Sequence, residues 1–304
     1  MNEALDVSDF SGSRQERVPP APCPWKRVGV IGGLGEMGQL FSRFFRDRGC
    51  QVVVSDRDTE RTNEDVIRNS DLVLFAVPLH ETVTIIRESL PLTRPDQLLM
   101  DLTSLKTAPV REMLRSPASV VGLHPMFGGR IASFSGQTLV ACPARIADGT
   151  WSALRSVFTE EGIRVRECTP EEHDRMMSII QVLFHMTTML TGRVLRDLGV
   201  DIAETMEYTS PSYRLEINLL GRIFAQNSAL YSAITQMNPH TMDIIRHFRQ
   251  GLDQYASWVE KEDLGSFIDD FEKSARHLGD FCREAYRESS MILDYTVRTG
   301  NSTR

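Results

Sequence analysis

Short runs of β-branched and large apolar residues recur through the first half of the chain and give way to longer stretches of helical period in the second. RVGVIG (27–32), QVVVSD (51–56), DLVLFAV (71–77), QLLMDL (97–102) and SVVGLH (119–124) each have the length of a buried strand. Between them, MGQLFSRFFRDRG, HETVTIIRESL and APVREML repeat apolar residues at helical spacing. Strand and helix in alternation imply right-handed crossovers and a mostly parallel sheet, doubly wound, with helices on its faces. QTLVAC and IRVREC, flanking the helical TWSALRSVFTEEG, supply two more strands, so the first domain is expected over 27–168.

After Pro170 no further strand is expected, and 169–304 reads as an all-helical domain. One helix begins cleanly in TSPSYRLEINLLGRIFAQ, where Ser210 can cap and Pro211 suits the first helical position. Helices this apolar, in a segment too small to cover them all, predict packing against a second copy of the chain. Residues 1–26 are polar and end in VPPAPCPW, which predicts a flexible tail.

The chain has 304 residues, a net charge of -7, 41% hydrophobic and 25% charged residues, values of a soluble protein and not of a nucleic-acid binder. No apolar stretch has the length of a membrane span and no signal-peptide core is present, so a cytoplasmic protein is expected. Five scattered cysteines, Cys23, Cys50, Cys142, Cys168 and Cys282, form no C-x-x-C pair and suggest reduced, mostly buried thiols with no metal site.

Gly33-Leu34-Gly35-Glu36-Met37-Gly38 is G-x-G-x-x-G after a strand and at the start of a helix. The first glycine is expected to make the tight turn, the second to admit a pyrophosphate and the third to let helix and strand approach, while the helix N-terminus favours the negative charge. Asp56, 18 residues beyond Gly38 at the end of the next strand, is placed to bind ribose hydroxyls. It favours NAD over NADP, against which stands Arg57 beside it.

Ligands of such sheets meet the loops at the carboxyl ends of the strands. There lie Val77 and Pro78 of VPLHE, expected beside the cofactor, then DLTSLK and GLHPMFGG. His124 leaves its strand into a Pro-Met-Phe-Gly-Gly loop and is the natural acceptor for a proton released as hydride departs. Alternatively it satisfies backbone groups. Ser104 could orient the imidazole and Lys106 hold a cofactor or substrate anion; a helix cap and a solvated lysine are the plainer readings. Arg222 shares a helix face with Leu215 and Leu219 and is therefore expected to point into a core, where it must meet either a substrate carboxylate or an acidic side chain. Arg214 is expected nearer the solvent.

GGLGEMGQLF, VPLH, DLTSLKTAP, GLHPMFG, EEHD, SPSYRLE and GRIFAQ, in this order, resemble segments of the prephenate dehydrogenase family from about Arg27 nearly to the C-terminus. The resemblance implies a Rossmann domain followed by a helical dimerisation domain, a homodimer, and NAD-linked oxidative decarboxylation of a small cyclohexadiene substrate. It carries the catalytic histidine onto His124, the serine and lysine of the neighbouring loop onto Ser104 and Lys106, and the carboxylate-binding arginine onto Arg222. Arg214 and His185 also stand at family substrate positions. The likeness is greatest to the class fused to an N-terminal chorismate mutase, and the short segment before the first strand raises the expectation of a stand-alone relative acting on 4-amino-4-deoxyprephenate, with prephenate the alternative. A catalytically silent dinucleotide sensor would need neither His124 nor Arg222.

Overall fold

The computed structural model describes residues 23–300 and divides the chain between His173 and Asp174. Of the expected tail, residues 1–22 lie outside the described residues, while Cys23 and Trp25 pack on the first unit's core.

The first unit holds one sheet of seven strands: β1 (Arg27–Ile31), β2 (Gln51–Ser55), β3 (Leu72–Phe75), β4 (Leu98–Asp101), β5 (Ser119–Pro125), β6 (Thr138–Arg145) and β7 (Arg164–Glu167). The order is β2-β1-β3-β4-β5-β6-β7, and the chain reverses its winding between β1 and β3. All pairings are parallel except β5 with β6, where no helix intervenes to return the chain to the same edge.

Strand alternation sorts the core onto two faces. Val28, Val30, Leu72, Leu74, Leu98 and Met100 face α1 (Glu36–Arg46) and α5 (Asp148–Thr159) through Phe41, Phe44, Phe45, Leu154 and Phe158. Ile31, Val73, Phe75 and Leu99 face α2 (Asn63–Arg68), α3 (Leu79–Ser89) and α4 (Thr107–Met113). Of these helices only α2 escapes the periodicity argument, being one turn and a half long. Its signal was the capping box in which Thr62 and Asp65 bond each other's backbone N–H.

α6 (Pro170–Met177) spans the division of the chain, and the second unit continues through a π-helical segment, Ser178–Leu183, into α7 (Phe184–Asp197). There follow α8 (Ile202–Thr205), α9 (Pro211–Phe224), α10 (Ser228–Met237), α11 (Thr241–Glu260), α12 (Leu264–Leu278) and α13 (Phe281–Gly300). Ser210 caps α9 as expected, accepting from the Tyr213 N–H at 3.1 Å. Among the described residues of this unit the buried apolar side chains are few, Met177, Val182 and Ile234. Phe248, Leu252, Tyr255 and Val259 instead form an exposed stripe on α11, and Leu264, Phe267, Ile268, Phe271 and Leu278 another on α12. No helix of the described residues is long and apolar enough to cross a membrane.

Candidate functional site

The glycine turn lies at the carboxyl end of β1, beside the reversal of winding. Gly32, not Gly33, adopts the left-handed backbone, with φ of 84°, and a Cβ there would lie 2.7 Å from the Ala76 carbonyl oxygen. The tight turn is thus made one residue earlier than expected. Gly33 is needed for a different reason, since its Cβ would lie 2.5 Å from that of Val54. A Cβ on Gly38 would strike the Gly32 carbonyl, which bears out the close packing expected of that position. Over Gly35 the space is open, the nearest atom to a Cβ being Gly32 O at 3.5 Å, and no side chain caps α1.

Asp56 lies directly past β2 and faces this turn, its Oδ2 accepting from the Leu34 N–H at 2.9 Å. Its Oδ1 accepts from the Arg57 N–H, while Arg57 itself is exposed. An uncapped helix start, an open glycine and a carboxylate on the same turn suit a dinucleotide's phosphates and ribose. Val77 lies against Gly32, Pro78 opens α3 and Met37 packs on the core. Glu36 accepts from Arg130 at 2.8 Å, and Gly129 fits against it so closely that a Cβ there would lie 2.6 Å from that of Glu36. The loop after β5 therefore rests on the start of α1.

That loop leaves from His124, which is 4% exposed at the end of β5. Its Nδ1 is hydrogen-bonded to Nε2 of His173 at 2.9 Å, so the partner there is His173 and not Ser104, which lies half-buried on its own loop. His173, 1% exposed, comes from α6. Thr169 and Glu172 cap that helix reciprocally, each accepting from the other's N–H, and so hold its first turn. Sequence reading passed over His173 as a ligand of His124, although it sits in the EEHD segment; 49 residues separate the two, and no periodicity links them.

Lys106 also departs from expectation. Fully buried, it pairs with Asp101 and donates to the Leu123 carbonyl at 2.6 Å. It ties β4 to β5 from within and is not available as the solvated or anion-holding cation its loop suggested. The Asp101 carboxylate further accepts from the Thr103 backbone N–H and hydroxyl.

In the helical unit, His185 on α7 meets Tyr231 on α10 edge to face at 4.6 Å. The Nδ1 of His185 is buried without a hydrogen-bond partner, as are Gln181 Oε1 and Thr235 Oγ1. Burial holds the imidazole below its ordinary pKa and the Tyr231 phenol above its own, the latter opposed by the charge of Arg222 and a hydrogen bond with Gln226. Tyr231 also lines a cavity of about 320 Å³ with Met189, Phe224, Gln226 and Thr235. Arg222 is exposed and Arg214 half-buried, the reverse of the expected order. The cause is visible on the shared face, where Leu219 is itself 55% exposed: this unit closes no core of its own around α9.

Among the described residues no cluster of His, Cys, Asp and Glu could hold a metal. The thiols of Cys142 and Cys168 lie 3.9 Å apart and share a weak hydrogen bond, with no disulfide between them, and Cys282 is exposed.

Residues 42–167 match the nucleotide-binding domain of prephenate dehydrogenase, and residues 169–278 match its dimerisation domain. The T-protein of Haemophilus influenzae is 33% identical over 268 residues, 88% of this chain and 71% of that protein. A probable arogenate/prephenate dehydrogenase of Methanocaldococcus jannaschii is 31% identical over 289 residues, 88% of this chain and 65% of that protein. Among solved structures, prephenate dehydrogenase from A. aeolicus, in complex with hydroxyphenyl propionate and NAD+, superposes with a TM-score of 0.66 at 18% identity, covering 83% of this chain and 98% of that one.

Proposed function

The chain belongs to the prephenate dehydrogenase family and is an NAD-dependent dehydrogenase, and from that premise we propose that it oxidatively decarboxylates and aromatises a prephenate-type cyclohexadiene. The observation that carries the chemistry is the placement of His124. The loop it opens rests on the first turn of α1, so a buried base and the cofactor turn share one edge of one sheet.

Bound at the glycine turn, NAD supplies the hydride acceptor. Asp56 holds the ribose hydroxyls, and the N–H groups opening α1 receive the pyrophosphate. His124 takes the proton of the C4 substituent as the C4–H bond gives up its hydride. The C1 carboxylate departs as carbon dioxide, its bonding pair completes the aromatic ring as His124 returns its proton to the C4 oxygen or nitrogen, and aromaticity makes the step irreversible in practice. Arg222 holds a substrate carboxylate, with Arg214 and His185 as further substrate contacts. The exposed stripes of α11 and α12 belong to the dimerisation domain, and we assign them to a homodimer.

For the C4 group, the substrate we propose is 4-amino-4-deoxyprephenate, giving 4-aminophenylpyruvate, with prephenate itself as the competitor. In either case the same hydride leaves and His124 takes and returns one proton of the C4 group. Absorbance of NADH with 4-amino-4-deoxyprephenate, prephenate and arogenate, each with NAD and NADP, is the deciding measurement. A higher kcat/KM on prephenate would reject the amine assignment, equal use of NADP would give Arg57 the decision over Asp56, and no turnover with any of the three would return the chain to a silent sensor.

A further inference from the structure

We propose that His173 is a positioning residue for His124: its hydrogen bond to Nδ1 fixes the tautomer that leaves the proton-accepting lone pair on Nε2 of His124. This deepens the reading of His124 as the base and rests on it. The two rings stand at 66° with centroids 5.0 Å apart and their facing nitrogens 2.9 Å apart, both side chains being buried.

Two facing imidazole nitrogens at that distance share one proton. Two N–H groups would collide and two lone pairs would repel, which leaves two neutral arrangements. In one, His173 Nε2–H donates to His124 Nδ1, the proton of His124 sits on Nε2, and His124 cannot accept another there. In the other, His124 Nδ1–H donates to His173 Nε2, and Nε2 of His124 carries the lone pair. Once His124 has taken the substrate proton it holds both N–H groups, and the group facing Nδ1 must be an acceptor. Only the second arrangement already presents that acceptor, so no proton need move between the rings as the reaction proceeds. The capping box of α6 supports it by fixing the backbone from which His173 projects, His173 N–H donating to the Thr169 carbonyl at 2.9 Å. The role is that of the carboxylate that holds the histidine in hydrolase triads, played here by a second imidazole.

The test is ¹⁵N NMR of the imidazoles in the whole enzyme, together with steady-state kinetics of His173→Leu and His173→Gln. In the wild type, His124 should show a protonated Nδ1 and a bare Nε2. The leucine variant should lose that fixed tautomer and about 10- to 100-fold in kcat, the usual loss when an orienting partner is removed, with KM for substrate and NAD within about two-fold. Glutamine, whose amide oxygen can accept from Nδ1–H, should restore the tautomer and most of the lost rate. A bare Nδ1 on His124 in the wild type overturns the proposal, as does a folded leucine variant with unchanged kcat, or equal loss of rate and melting temperature in both variants. Should the leucine variant not fold, the wild-type spectrum and the glutamine variant decide. If no cyclohexadiene is turned over, the functional reading falls while the wild-type spectrum still decides the tautomer.

Discussion

Every residue of β3 and β4 is buried, whereas α12 leaves Leu264, Phe267, Ile268, Phe271 and Leu278 on the surface. Both carry a large share of apolar residues, yet one chain suffices to cover the first and not the second. A sheet with helices on both faces hides its strands by its own crossovers. A small set of helices with stripes on several sides has too few neighbours, and its energetics depend on a second copy. The polar groups do not divide in this way: Ser42 Oγ and Asp101 Oδ1 in the first unit are buried without a hydrogen-bond partner, as are Gln181 Oε1, His185 Nδ1 and Thr235 Oγ1 in the second.

The sharpest way to break this contrast is to attack the chemistry assigned to the self-sufficient unit. His124→Asn should lower turnover by about 10²- to 10⁴-fold, the range for loss of a general base, with substrate binding little changed. Near wild-type turnover would move the base elsewhere, His185 being the next candidate. Lys106→Met addresses the same unit's interior. It strands the Asp101 carboxylate in a dry site and should cost about 3–5 kcal/mol of stability. Because the pair is internal to the sheet, that loss should be the same at low and high protein concentration; a loss that vanished on concentrating the protein would tie the pair to assembly instead.

In the helical unit the expected effects depend on what covers it. Arg222→Ala should weaken substrate binding by about 2–4 kcal/mol, as for a charged hydrogen bond to a carboxylate, and leave NAD affinity intact. Unchanged substrate binding with lowered stability would make Arg222 a structural residue. Phe271→Glu places a charge in the exposed stripe of α12. It should weaken dimerisation by about 1.5–3 kcal/mol, the worth of one buried aromatic side chain, and sedimentation over a dilution series should show dissociation at higher concentration than in the wild type. An unshifted dimer constant would place the interface on another face.

The same contrast governs how far the fold and site could be read in advance. Most of the seven strands were legible as short continuous apolar runs, because helices bury both faces of the sheet, and α1, α3, α4 and α5 because a 3.6-residue period marks a helix that buries one face. The glycine turn and Asp56 were legible because a ligand's geometry fixes their spacing, although the left-handed residue proved to be Gly32. What failed were inferences from position to surroundings. Lys106 on a loop suggested a cofactor or substrate anion, or else solvent, and Arg222 in line with Leu215 and Leu219 suggested a core. A period says that residues share a face, not what meets that face. His173 was missed for a related reason, since a contact across 49 residues is fixed by topology and by no local pattern.

The smallest expected effect concerns His185, whose unpartnered Nδ1 makes it the counterpart of the bonded histidine pair in the first unit. Burial lowers its pKa from the ordinary 6.5, so the folded protein binds this proton less readily than the unfolded chain does. The resulting contribution is fully present above pH 6.5 and is lost progressively as the pH falls from there through the depressed folded value, since the unfolded state gains a proton that the folded state refuses. His185→Phe keeps a ring against Tyr231 and removes the titration. The melting temperature of the wild type relative to this variant should be flat above neutrality and should decline as the medium is made mildly acid, by less than any effect above because the ring is only partly buried. A difference that stays constant on acidification would mean that the ring acquires a hydrogen-bond partner in the assembled protein. In that event the orphaned atoms of the second unit, like its apolar stripes, are completed by the second copy.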